Sequence, residues 1–90
     1  HLPPDDLVIL RAKAWLSNQA GDSANARRFW QEILDHLPDD ENASLNLAAL
    51  AAREGRLDAA RTLVSRVLAA HPDSPAARRS QQQLDKATTP

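Results

Sequence analysis

Pro-Asp occurs three times in this chain, at Pro4-Asp5, Pro38-Asp39 and Pro72-Asp73, each occurrence 34 residues after the last. A fixed period of this length is the mark of a stacked array of supersecondary units. Aligning residues 7–38 with 41–72 pairs Ala14 with Ala48, Leu16 with Leu50, Gly21 with Gly55 and Ala26 with Ala60. Arg27 with Arg61, Leu34 with Leu68 and Pro38 with Pro72 complete the set. Gly21 and Gly55 are the only two glycines in the chain, and chance in an Ala-rich sequence does not readily put both in one phase with the prolines that follow.

Each matched residue type has a place in a helix-turn-helix unit. Asp5/Asp6, Asp39/Asp40 and Asp73/Ser74 offer side-chain oxygens to the unpaired N–H groups of a starting helix, whose positive dipole end suits an acid. The glycines follow apolar-periodic stretches and can take the left-handed conformation that ends a helix. Ala14 with Ala26, and Ala48 with Ala60, let two antiparallel helices approach closely. The second helix of each unit carries apolar residues at helical spacing, Ala26, Phe29, Trp30, Ile33, Leu34 and Leu37 in one and Ala60, Leu63, Val64, Val67 and Leu68 in the other, each set reading as one buried stripe. Pro38 and Pro72 prevent continuation. The pattern predicts helices at about 6–19, 23–36, 40–53, 57–70 and 74–87. The last starts with Ser74 as N-cap and Pro75 at its first position, a favoured pair.

Composition agrees. Of the apolar residues, 17 are Ala and 13 are Leu, against five Val and Ile together, a balance that favours close-packed helices over strands. Ninety residues allow one small domain. A net charge of −1 does not point to nucleic acid or an anionic membrane, and no apolar run approaches the roughly 20 residues of a membrane-spanning helix. The absence of cysteine rules out disulfides and thiolate metal sites and is compatible with the cytoplasm or a bacterial periplasm. The Ala/Arg/Leu-rich texture reads as bacterial, and the chain reads as one module of a longer protein.

The spacing Ala14, Gly21, Ala26, Pro38, repeated as Ala48, Gly55, Ala60, Pro72, resembles the tetratricopeptide repeat over nearly the whole chain. The resemblance implies an all-α fold of two antiparallel helix-turn-helix repeats, about 5–38 and 39–72. A capping helix at about 74–87 and a frayed tail at 88–90 would complete a right-handed superhelix. It departs from the family at Leu10 and Ser44, which stand where an aromatic is frequent, and at Lys13 and Ser17, where the second repeat has Leu47 and Ala51.

In this family the first helices of successive repeats line a concave groove that mostly binds proteins or peptides. Carried over, that groove comprises Arg11, Trp15, Asn18 and Gln19, then Asn42, Asn46, Ala49 and Arg53, with Arg79, Gln83 and Lys86 from the fifth helix. Amides can pair with both polar groups of an extended peptide backbone, and Arg can hold a carboxylate through two parallel bonds. The implied ligand is an extended or helical segment with acidic side chains or a free C-terminus. Trp15 either anchors such a partner or fills space beside Ser17 in a thin core, whereas Trp30, inside the apolar stripe, reads as core. Some family members clamp the carboxylate tails of heat-shock chaperones through Lys, Asn and Arg on successive first helices. Here Asn46 matches the middle Asn, but Arg11 and Trp15 stand in place of Lys and Asn, and Ala76 and Ser80 in place of basic residues, so generic peptide binding is the expectation.

Catalytic chemistry has no candidate residues. His36 and His71 sit at the ends of second helices, where imidazole suits the negative dipole end, and neither has close metal-ligand spacing. No Gly-rich phosphate loop and no nucleophile with an evident base is present, so no cofactor or metal is expected. The rival to groove binding is a structural spacer or self-association module, in which apolar edges left by the short array dock onto adjacent repeats or onto a second copy as a homo-oligomer.

Overall fold

The computed structural model describes residues 3–88. Five helices follow one another: α1 Pro4–Gln19, α2 Ser23–His36, α3 Glu41–Arg53, α4 Leu57–Ala70 and α5 Pro75–Thr88. No strand occurs among the described residues, in accord with the all-α expectation. Thr88 of the expected tail belongs to α5, while Thr89 and Pro90 lie outside the described residues.

Helix ends fall where the side chains dictate. Asp40 caps α3 by accepting from the Ala43 N–H at 2.9 Å, and the Ser74 hydroxyl oxygen caps α5 by accepting from the Ala77 N–H at 3.1 Å. Asp22 does the same for α2, accepting from Asn25. The start of α1 corrects the expectation: Pro3 is the N-cap and makes no side-chain cap bond, so Asp5 and Asp6 lie in the first turn. There they meet the helix's positive end without serving as caps. Pro4, one of the first-turn prolines a helix tolerates, moves the start two residues ahead of 6.

Gly21 and Gly55 have φ of +76° and +79°, the left-handed region. At both turns the next residue's N–H reaches back five positions, Asp22 to the Ser17 carbonyl at 2.9 Å and Arg56 to the Ala51 carbonyl at 2.8 Å. The same closure at the same phase of each unit is why the glycines repeat.

The core forms two clusters that share α3. Leu10 and Ala14 from α1 and Ala26, Trp30, Ile33 and Leu34 from α2 pack with Ala43, Leu47 and Leu50 from α3. Ala48 and Ala51 on another side of α3 pack with Ala60, Val64 and Leu84 from α4 and α5. Ala14, Ala26 and Ala60 have no exposed surface and Ala48 almost none, so the small residues stand where the helices come together. Leu10 and Ser44, the departures from an aromatic, are both buried.

The expected second-helix stripe needs one correction. Leu37 is 39 % exposed, because it lies beyond the last turn of α2 as its C-cap with φ of −130°, and it leaves the helical face. Phe29 is only partly buried, its ring approached by Lys13 Nζ at 6.0 Å and by the Arg28 guanidinium at 5.2 Å. Trp30 is 2 % exposed, as a core residue should be, and its indole N–H meets no acceptor among the described residues.

Candidate functional site

A concavity of about 620 Å³ opens along the first helices of the array. Arg11 contributes from α1, Glu41, Asn42, Leu45 and Asn46 from α3 with Asp40 at its cap, and Ala76 from α5. Three expected groove residues, Arg11, Asn42 and Asn46, therefore come together in one space. Gln83 lines a smaller cavity of about 150 Å³ with Ala49, Ala52 and Ser80, between α3, α4 and α5. Arg53 donates to the Asn18 Oδ1 at 3.4 Å, bridging the ends of α3 and α1. Trp15, Gln19, Arg79 and Lys86 are exposed and lie outside these two cavities.

The polar groups of the larger cavity hold one another in place. The Asn46 amide donates to both the main-chain carbonyl and the Oδ1 of Asn42, each at 2.8 Å, as residues four apart on one helix face can. Arg11 forms a two-pronged pair with Asp40, with Nη1 to Oδ2 at 2.9 Å and Nη2 to Oδ1. Asp40 thus serves twice, capping α3 and tying α1 to it across 29 residues. The next junction repeats the device with other residues, since the Ser74 hydroxyl, while capping α5, donates to Glu41.

This pairing changes the electrostatic reading of the groove. Arg11 is neutralised by Asp40 and Glu41 lies alongside, so the cavity is not a bare cation site. Burial alone would push the Asp40 carboxyl up, but the bond from Arg11 and the Ala43 N–H outweigh it and hold it below its ordinary value of 3.8. The same bond to Asp40 raises Arg11 further above its usual value.

A carboxyl depressed on folding stabilises the fold above its unfolded pKa, and that contribution is lost as pH falls through the lower folded value. Asp40→Asn is therefore expected to cost about 1–2 kcal/mol at neutral pH, the scale of a hydrogen-bonded charge pair. The deficit relative to the natural chain should shrink as pH drops below 3.8. Urea midpoints at a series of pH values measure it, and a deficit independent of pH would show that the ion pair contributes nothing.

The matched arginines also find their reason. Arg27 reaches from α2 to Glu54 at the end of α3, and Arg61 reaches from α4 to Asp85, at 3.1 Å, and to the Leu84 carbonyl on α5, at 3.2 Å. Each links a second helix to the first helix that follows. The exposed Glu54 carboxyl is held low by Arg56 and Arg27.

Trp15 is 55 % exposed, which excludes the core-filling alternative. Its exposure belongs to a feature the sequence reading did not single out: Val8, Ile9 and Leu16 on the same helix are each half or more exposed. In the 34-residue register Leu16 pairs with Leu50 and Ile9 with Ala43, and the α3 members of both pairs are buried, so these matched positions differ in exposure between the two repeats.

Among the described residues no cluster of three or more His, Cys, Asp or Glu could hold a metal ion, and no helix is long and apolar enough to cross a membrane. A family model described as tetratricopeptide repeat matches residues 18–84. No curated protein and no solved structure matches the chain.

Proposed function

Because the chain belongs to the tetratricopeptide repeat family, we propose that it is a noncatalytic adaptor module holding an extended protein segment along its first helices. Tetratricopeptide repeats generally mediate protein–protein interactions and are generally noncatalytic. The observation that carries the reading here is the 620 Å³ concavity, to which α1, α3 and α5 all contribute side chains. The repeats at about 5–38 and 39–72 and the helix at about 74–87 act together as one binding domain, since no single unit supplies that surface.

The Asn42–Asn46 pair meets a ligand backbone with its amides already oriented, which reduces the ordering cost of binding. Asn18, Gln19 and Gln83 extend the amide lining along the array. An acidic side chain or a C-terminal carboxylate finds its cation at Arg53 or Arg79, because Arg11 is committed to Asp40. Trp15 supplies the large amphipathic anchor at the α1 edge.

Selection of peptides from a random displayed library against the folded chain tests the proposal. Asn42→Ala/Asn46→Ala and Arg53→Ala/Arg79→Ala are each expected to weaken the selected peptides by about tenfold or more. Glu32→Ala, exposed on α2, serves as the control and should leave affinity unchanged. Peptides whose affinity survives both double substitutions would place binding elsewhere and overturn the reading.

A further inference from the structure

The two junctions of the array share one register but are filled differently. Between α1 and α3 the inner residue is Trp30, 2 % exposed, and on the exposed side Arg53 bonds across to Asn18 at 3.4 Å. At the next junction, between α3 and α5, the positions 34 residues on are Val64 for Trp30, Ala52 for Asn18 and Ala87 for Arg53. A valine takes the place of an indole, and two methyl groups take the place of the bridging pair. The cavity of about 150 Å³ lies at that spot, with Val64, Ala52 and Ala87 all among its lining residues.

This cavity is apolar inside and polar at its edge. Ala48, Val64 and Leu84 are its buried part. No charged side chain lines it among the described residues, so neither an anion nor a cation finds a partner there. Ser80, part-buried, and Gln83, exposed, bring a hydroxyl and an amide to it from α5. A dry apolar cavity of about this volume admits a benzene ring, whereas whole small-molecule ligands take roughly 300 Å³ or more. The space suits a single ring.

We propose that the cavity receives an aromatic side chain, tryptophan above all, of the protein segment held along the first helices. The occupant belongs to that segment, so the assignment rests on the groove reading for its ligand. Residues 42, 45, 46, 49 and 52 form one stripe of α3, and 76, 80, 83 and 87 form one stripe of α5. Each stripe lines first the larger concavity and then this cavity, so a segment lying in the one runs on to the other. The register selects the ring, because one repeat earlier the same framework closes around an indole supplied from within. At the second junction the ring comes from the ligand, and Ser80 and Gln83 supply the acceptor that a buried indole N–H usually finds.

Peptides selected from a random displayed library against the folded chain should share an aromatic residue at one position, and replacing it by Ala should weaken binding by about tenfold or more. Val64→Trp, which supplies the indole from within as the first repeat does, should weaken the selected peptide by the same factor and leave the Ala-substituted peptide unchanged. Ala52→Leu, at a part-buried lining position, obstructs the same space if circular dichroism shows Val64→Trp unfolded. Indole alone reads the cavity without the segment. At about millimolar concentration it should shift the amide signals of Ala52, Leu57, Ser80 and Leu84 in the natural chain and not in the blocked variant. Affinity lost with the Asn42/Asn46 and Arg53/Arg79 substitutions but kept with a blocked cavity overturns the ring assignment and leaves the groove. Affinity kept with those substitutions but lost with a blocked cavity overturns the groove reading and leaves the ring site. Selected peptides with no shared aromatic residue, or indole that shifts nothing around the cavity, overturn the proposal.

Discussion

Trp30→Ala is expected to destabilise the chain by about 3–5 kcal/mol, the cost of removing a large aromatic from a packed core. A 90-residue chain commands a total stability of only about 5–13 kcal/mol. The variant should therefore be partly unfolded at 37 °C. The size of the effect follows from position: Trp30 is 2 % exposed and belongs to the cluster that joins α1, α2 and α3, so its ring holds one repeat together and also attaches the next. Trp30→Phe should cost much less, because it keeps most of the ring and removes an indole N–H that has no acceptor among the described residues. Urea unfolding followed by circular dichroism gives both values. A loss below 1 kcal/mol for Trp30→Ala would mean that the first cluster is not what fixes α1 to α2.

Ala26→Leu and Ala60→Leu are each expected to cost about 1–3 kcal/mol through overpacking. Both alanines have no exposed surface, and each sits with the first-helix alanine of its own unit, Ala14 or Ala48, in a single cluster. A Leu at either site has no solvent to turn into and must push the paired helices apart. Ala59→Leu, one residue earlier and exposed, is the control, with an expected change within about 0.5 kcal/mol. Equal stability of Ala60→Leu and Ala59→Leu would contradict the close approach of α3 and α4.

Much of this fold was legible because the residues that punctuate it act locally. Gly21 and Gly55 end helices through their own φ, and Ser74 with Pro75 starts one through its own hydroxyl and ring. These are short-range causes, and a repeat prints them twice. The start of α1 was misread for the same kind of reason: two acids in succession imitate a cap, whereas Pro3 takes the cap and Pro4 opens the helix, which leaves them as its second and third residues. Leu37 was misassigned because periodicity does not reveal where the chain leaves the helix.

The candidate site was legible only in outline. Period and family resemblance brought Arg11, Asn42 and Asn46 to one cavity, but nothing local shows that Arg11 spends its guanidinium on Asp40, 29 residues away. That single long-range bond shifts the expected cation from Arg11 to Arg53 and Arg79. The bare face of α1 was hidden for a complementary reason. Apolar residues stand on every side of that helix, so its pattern does not distinguish a face turned to the core from one turned outward, and only the packing of α2 and α3 decides.

The measurement that bears most directly on the central claim is a two-dimensional amide NMR titration of the folded chain with a library-selected peptide. The account predicts that the largest shifts fall on Trp15, Asn42, Asn46, Arg53 and Arg79, with little change on the outward sides of α2 and α4. Shifts concentrated on α2 and α4 instead would contradict the assignment of the first-helix face as the binding surface.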